Sequence, residues 1–430
     1  MKCTLTLLII VWQLALAHRT SGSDSLWSHL QSTDDLGETR DMTAEWADGT
    51  LRLTAQPPAA SNNRYAWAVV PAPTTGWDLA TRASVEAEII NRSDRPVDVI
   101  MWVVGDRGWD AVPDAATLGP NESRRFSCSL RHTYPDQTPK VDPTHIKQVQ
   151  FMITGRVTQP VTLEVRELQS VGTALPWQRP PTRLDVPPVT DAPPRPGQRV
   201  RYRLADDEGT GIYSVLNLPE DWQAGKSYPV IVEYPGNIFF VPACYSTGLP
   251  EQCVIGYGMT KGTGAICVGL PFIDRAAGVI AEDGWGNADD TADYAVNMVE
   301  EVCSTFGGDR NNIVLTGFSR GALACGYIGL RNDRIATLWK GFHACQHYDG
   351  DGWRGATRDD AIQRAARFRG KAVFQTDNSQ EQFQLVMDAM KTEVTWADSG
   401  LGAHATAMFL DDRPPTQQLR EWYAKLVGAE

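Results

Sequence analysis

Between about Asp41 and Gly172 apolar and polar residues alternate with a period of two, in runs too short for helices and separated by turn residues. Trp46-Ala47-Asp48-Gly49-Thr50-Leu51-Arg52-Leu53 carries an Asp-Gly hairpin signal between two alternating segments. Val85–Ile90 and Val97–Val104 flank a polar turn at Asn91–Arg95, and further strands are expected at Arg124–Leu130, Ile146–Ile153 and Val161–Leu168. About eight short strands without a convincing helix predict an antiparallel β-sandwich of jelly-roll type over residues 25–172.

The pattern then breaks. Eight prolines fall between Pro176 and Pro196 among few apolar residues, which predicts an extended, semi-rigid linker over 173–198. From 199 to 430 the periodicity is different. Val200–Leu204 and Gly211–Leu218 read as an opening antiparallel pair, and Pro229–Tyr234 and Gly264–Leu270 as buried strands. Between Asp290 and Phe306 the apolar positions Ala295, Val299, Val302, Cys303 and Phe306 share one helical face, with acids in the first turn and Gly307 past the end. Strands at Ile313–Leu315, Leu338–Ala344, Ala372–Gln375 and Glu393–Trp396 alternate with helices at Arg358–Arg369, Gln380–Met390 and Thr416–Val427. Continuous apolar strands alternating with helices predict an α/β architecture, a doubly wound and mostly parallel sheet.

Composition narrows the function. The chain has 430 residues, 42% hydrophobic and 21% charged, long enough for two or three domains with full cores. Its net charge is −12 and no Lys/Arg block stands out, which argues against a nucleic-acid or anionic-membrane surface. Lys2, the apolar stretch Leu5–Ala15 and Ala15-Leu16-Ala17 form a signal-peptide pattern, so cleavage after Ala17 and a secreted or periplasmic location are expected. No later segment has the length of a membrane span. Beyond Ala17 seven cysteines remain, of which Cys244 and Cys253 flank a loop-like stretch and are the candidate disulfide. No Cys/His spacing suggests a metal, and no cofactor is implied. Asn91-Arg92-Ser93 and Asn121-Glu122-Ser123 are glycosylation sequons.

The chemistry centres on Gly317-Phe318-Ser319-Arg320-Gly321, which follows the apolar run Ile313-Val314-Leu315 and opens a helix-compatible stretch. Strand, tight turn and helix would lift the Ser319 hydroxyl clear of the sheet edge, the glycines being needed where strand and helix crowd together. A serine hydroxyl needs a base to take its proton, and the base needs an orienting carboxylate. His343, His347 and His404 are the histidines after Ser319. His404, in a Gly-rich loop between the last strand and the last helix, is the expected base. Asp377 directly follows the penultimate strand and is the expected acid, with Asp349 as the alternative. Backbone N–H groups of Arg320 and of Asn237, in Pro235-Gly236-Asn237, are the candidate oxyanion donors. The Arg320 guanidinium is a candidate for meeting an acidic substrate, and Trp285 and His347 are candidate substrate contacts.

With the elbow, the Ser–Asp–His order and the terminal histidine loop in place, residues 199–430 resemble the α/β-hydrolase superfamily, specifically secreted serine esterases. That resemblance implies ester hydrolysis through a serine acyl-enzyme. Gly-Phe-Ser-Arg-Gly is similar to the Arg-after-Ser arrangement of glucuronoyl esterases, with Ala322-Leu323 standing where that motif continues with Lys. Gly76-Trp77-Asp78-Leu79, the Val/Glu alternation after it and Asn91 resemble β-sandwich modules beside catalytic domains in polysaccharide-degrading enzymes. That second likeness implies a carbohydrate-binding module, with Trp102 or Trp109 to stack on sugar rings. The expected activity is a carbohydrate esterase acting on acyl or aryl esters of a polysaccharide, or on a small ester. The alternatives are a lipase, polyester hydrolase or peptidase on the same fold, or an inactive glycan-binding protein.

Overall fold

The computed structural model describes residues 23–58, 63–106, 110–135, 137–175, 177, 183–401 and 404–428, and the side chains of 407 and 408 are left aside. The signal-peptide pattern and Trp109 lie outside these residues.

The alternating half folds into two antiparallel sheets. The main strands are β1 (Met42–Ala47), β2 (Thr50–Ala55), β3 (Tyr65–Pro71), β4 (Arg82–Asn91), β5 (Val97–Gly105), β6 (Ala111–Leu118), β7 (Ser123–Ser129), β8 (Ile146–Thr154) and β9 (Val161–Thr173). One sheet has the order β1-β2-β9-β4-β7, with Asp24–Ser25 pairing on β9. The other runs from Thr39–Arg40 through β3-β8-β5-β6. Leu51, Leu53, Ile89 and Val165 from the first sheet meet Val70, Val99, Met101 and Phe151 from the second in one core. Asp48 and Gly49 both have positive φ (48° and 72°), so the β1–β2 turn is the primed type whose twist suits a hairpin.

β4 and β5, adjacent in sequence, lie in opposite sheets rather than in one hairpin. Asn91 stands at that crossing. It is fully buried and its amide donates to the carbonyls of Arg95, Leu118 and Gly119, while its Oδ1 accepts from the Ser93 N–H. The asparagine of the first sequon is therefore a buried structural residue.

The second half is built on a nine-stranded sheet. Its strands are β10 (Val189–Thr190), β11 (Arg199–Tyr202), β12 (Ser214–Asn217), β13 (Tyr228–Tyr234), β16 (Ile266–Gly269), β17 (Gly308–Phe318), β18 (Gly341–Cys345), β19 (Ala372–Thr376) and β20 (Val394–Ala397), with the hairpin β14 (Phe239–Val241) and β15 (Cys244–Ser246) inserted. The order is β10-β11-β12-β16-β13-β17-β18-β19-β20. From β16 to β20 all neighbours are parallel, and β12 is antiparallel to both of its neighbours.

Helices α1 (Ile255–Thr260), α2 (Ala288–Thr305), α3 (Arg320–Tyr327), α4 (Asp333–Ala336), α5 (Arg358–Ala365), α6 (Gln380–Met390) and α7 (Pro414–Val427) cover this sheet. Along β13 and β17 the side chains alternate. Val230, Val232, Ile313 and Leu315 enter the core shared with α2, α3, α5 and α6, whereas Ile231 and Val314 pack with α1 and α7. Strands buried on both faces read as unbroken apolar runs, which is why they were visible in the sequence.

The two halves are packed together. β5 has one face in the sandwich core, while its other face, Ile100, Trp102 and Val104, is covered by Ile238, Phe240 and Tyr245 of the second half. Trp102 is 1% exposed, its ring 5.1 Å from that of Tyr245, so it is an interface residue and offers no face to a sugar. The Tyr245 hydroxyl donates to Gln150 Oε1 at 2.8 Å, and Arg40 pairs with Glu282 across the same seam. The linker expectation also changes. From residue 183 the chain is tied down: Leu184 N–H bonds the Leu410 carbonyl, Val186 is buried against Tyr257, and β10 joins the sheet. Most of residues 176–182 lies outside the described set.

All seven described cysteines are free, and Cys244 and Cys253 do not pair. Both are buried, Cys244 at the sandwich seam beside Tyr134 and Cys253 with its Sγ on the Glu233 carbonyl. The expected disulfide is therefore replaced by two separate core thiols.

Candidate active site

Ser319 sits at the join of β17 and α3 with φ 55° and ψ −118°, a conformation that L residues hold only where the surroundings over-determine it. Here the constraint is crowding. A Cβ on Gly317 would overlap the Gly321 peptide, and one on Gly321 would overlap the Tyr234 carbonyl at the end of β13. Only glycine permits this approach, and the serine between them is pushed up, part-exposed, at the carboxyl edge of the sheet. The Ser319 N–H bonds the Cys345 carbonyl at 3.0 Å, which fixes the turn to β18.

The two candidate backbone donors, Arg320 and Asn237, follow the neighbouring strands β17 and β13 at the same sheet edge. Arg320 is the first residue of α3, where helical N–H groups have no intrahelical acceptor. Its side chain turns away from the opening. It is 1% exposed, stacks 4.0 Å above the Phe272 ring, and donates to the carbonyls of Ala281, Glu282, Gly284, Gly236 and Gly248 at 2.8–2.9 Å. Burial lowers its pKa to about 9. The expectation that this guanidinium meets substrate charge is thus overturned, because carbonyls already occupy it. Its bond to Gly236 instead has a local consequence. The Gly236 carbonyl and the Asn237 N–H belong to one trans peptide, so holding the oxygen on Arg320 aims the N–H the opposite way. The Asn237 side chain is locked as well, donating to Asp283 Oδ1 and accepting from the Gly284 N–H. Among the described residues neither the Arg320 nor the Asn237 N–H donates to a protein acceptor.

His404 lies over this edge, its ring 4.5 Å from Phe318 and 5.6 Å from His347. Burial, with a smaller contribution from His347, lowers its pKa to about 4, so it is a neutral imidazole at ordinary pH. His347 bonds Asp351 Oδ2 through Nδ1 at 3.0 Å and is half-exposed beside it. Asp377 follows β19 and lines the same cleft as His404, together with Gln346, Asn378, Trp396 and Asp398, around a volume of about 740 Å³. Its oxygens accept from Ser399 N–H and Oγ, both at 2.6 Å, and from Gln346 at 3.2 Å. Asp377 therefore ties down the start of the loop that carries His404. Among the described residues no hydrogen bond directly joins Ser319, His404 and Asp377.

Asp349 is placed differently. It is 1% exposed and held bidentately by Arg364 at 2.8 and 2.9 Å, with burial raising its pKa to about 6. Its Cβ stands where a Cβ on Gly326 would go, against α3, so it braces the helix behind Ser319. Trp285 is 8% exposed, stacked on Tyr327 at 4.4 Å and edge-on to Trp353, with its N–H on the Arg354 carbonyl. Its faces are filled by protein. His343, fully buried between Thr316 and Thr376, cross-links β17, β18 and β19, and burial lowers its pKa to about 3.

Sequence reasoning missed the cleft residues Trp396, Gln346 and Asn378, although each stands at a strand's carboxyl end, where ligands of such sheets gather. It also missed a contribution from the sandwich: His132, Tyr134 and Lys140 border a second opening, of about 580 Å³, that His404 also lines. Among the described residues no group of three His, Cys, Asp or Glu side chains is arranged to hold a metal.

No family model and no curated protein matches the chain. Among solved structures, it is similar to an exo-beta-agarase at 12% identity, over 35% of this chain and 25% of that one, with a TM-score of 0.27. A thermostable esterase aligns at 12% identity over 79% and 94% of the two chains, TM-score 0.39. A ferulic acid esterase from Anaeromyces mucronatus in complex with ferulic acid aligns at 15% over 53% and 91%, TM-score 0.35. Peptidases stand among the neighbours too. This chain thus spans a quarter of the agarase's length. The site geometry, rather than any of these alignments, carries the functional reading.

Proposed function

We propose that this protein is an exported serine esterase that cleaves acyl or aryl esters on a polysaccharide. The observation that carries the reading is Ser319, held part-exposed at φ 55° by two glycines that admit no side chain, with the neutral His404 ring packed on the adjacent Phe318. A serine lifted at the sheet edge and an unprotonated imidazole packed on its neighbour Phe318 are the two groups, nucleophile and base, that acyl transfer through serine requires.

In the proposed reaction His404 takes the Ser319 Oγ proton as the oxygen attacks the ester carbonyl. The Arg320 and Asn237 N–H groups meet the developing oxyanion. Collapse expels the alcohol, which leaves with the proton from His404, and water then releases the acid from the acyl-serine by the same route. Asp377 supplies the orienting carboxylate, either through the Ser399 loop as found here or by giving up Ser399 for His404. An open cleft with Trp396 on one wall and polar groups on the others suits a sugar better than a lipid chain.

Labelling by a fluorophosphonate probe, together with acid release from acetylated and feruloylated glycans, tests the reading. Wild type should label and release acid, and Ser319→Ala should do neither. Labelling that persists in Ser319→Ala would remove the nucleophile and the proposal with it.

A further inference from the structure

The opening on the sandwich side of His404 is built rather than incidental. Residues 132–135 and 137–140 are held together by two backbone bonds: the Lys140 N–H bonds the His132 carbonyl at 2.9 Å and the Tyr134 N–H bonds the Thr138 carbonyl at 2.8 Å. Arg413 of the second half donates to Thr138 Oγ1 at 2.8 Å. Tyr134, 6% exposed, is inserted in the core with Cys244 and Ala405. The loop is thereby fixed against the segment that bears His404. At its end the Lys140 ammonium lies 5.2 Å from the Tyr134 ring centroid. Among the described residues it has neither a carboxylate in ion-pair range nor a hydrogen-bond acceptor for its Nζ, although burial lowers its pKa. Lys140, Tyr134, His132 and His404 line this opening together.

A half-buried cation on an aromatic face, with no carboxylate paired to it among the described residues, lacks both its full hydration and a counter-charge, so it is a ready receptor for an anion. In a chain of net charge −12, a cation lining the same opening as His404 also offsets the repulsion an acidic substrate would meet. We propose that Lys140, with His132, binds a carboxylate carried by the ester substrate, which makes the sandwich part of the active site and the natural substrate an acidic ester. The inference rests on the esterase reading above and deepens it. The carboxylate belongs either to the acyl group or to the sugar alcohol, and two substrate pairs separate these sources.

The full-length protein is assayed on mono-4-nitrophenyl glutarate against 4-nitrophenyl valerate, and on an acetylated methyl glucuronide against the matching acetylated methyl glucoside. Wild type should prefer the charged member of one pair, and that pair names the carboxylate's source. In Lys140→Met the charged-to-neutral ratio of kcat/KM should fall about ten- to a hundredfold, as for loss of one charge-assisted hydrogen bond. Lys140→Arg should restore it, and added salt should erode the wild-type preference. A ratio that is flat in wild type for both pairs, or unchanged in Lys140→Met, overturns the proposal. An equal loss on both members makes Lys140 structural and overturns it as well. Fluorophosphonate labelling of the same samples separates the two levels: a labelled enzyme with a flat ratio sinks only the carboxylate site, whereas an unlabelled one sinks the esterase reading too.

Discussion

Arg320 Nη2 holds the Gly236 carbonyl at 2.8 Å, so the residue after Ser319 orients the peptide that presents the Asn237 N–H. Its guanidinium also gathers Gly248 and the 281–284 loop, five carbonyls in all. Arg320→Lys has three donors on a flexible stem and leaves at least two carbonyls unmatched. It should cost about 2 to 4 kcal/mol of stability in urea unfolding. Turnover of neutral and acidic esters should fall by the same factor. A loss confined to acidic esters would mean that the guanidinium reaches substrate after all.

Gly321→Ala places a methyl group on the Tyr234 carbonyl, and neither backbone segment has room to yield. A penalty of at least about 3 kcal/mol is expected, above the usual overpacking cost. Fluorophosphonate labelling should vanish in whatever fraction stays folded. Normal labelling in a stable variant would contradict the strained turn.

The two acids separate by phenotype. Asp349→Asn breaks a buried bidentate pair with Arg364 and should lose about 3 to 5 kcal/mol, while the folded fraction keeps its kcat. Asp377→Asn, at a part-exposed site, should lose roughly a thousandfold or more in kcat with a melting temperature close to wild type. The reverse pattern would make Asp349 the orienting acid.

The acid limb of kcat/KM should fall near pH 4. A base acts only when unprotonated, and burial of His404 disfavours its cation, so activity persists below the usual histidine range and disappears as pH falls through about 4. A limb at 6.5 or above would show that Asp377 leaves Ser399 for His404 in the working enzyme, since a carboxylate on the imidazole favours the charged form.

Thiol chemistry tests whether Cys244 and Cys253 are free. Burial pushes the Cys244 thiol up to about 12 and raises Cys253 as well, so neither should react with an aromatic disulfide reagent in the native state. In denaturant without reductant both should titrate. A titre that rises only after reduction would restore the disulfide.

The sequence by itself determined most of the sheet strands and the longer helices, but not β3, β6, the β14–β15 hairpin, α1 or α4. Strands such as Pro229–Tyr234 announce themselves because two-sided burial demands unbroken apolar residues. The helix Gln380–Met390 is found at those same bounds because its face and its Ser379 cap are local signals. Ser319 and its glycines were legible for the same reason, since backbone crowding in a five-residue turn restricts composition on the spot. Partnership was not legible, because it depends on which surfaces meet. Only the folded chain decided that Arg320 faces carbonyls instead of substrate, that Asp349 answers Arg364, and that Asp377 grips Ser399. The run Ile100-Met101-Trp102-Val103-Val104 did hint at two-sided burial of a sandwich strand, but what covers its outer face lies about 140 residues away, at Phe240 and Tyr245. That docking also brings Lys140 and His404 to the lining of one opening, which no local pattern encodes.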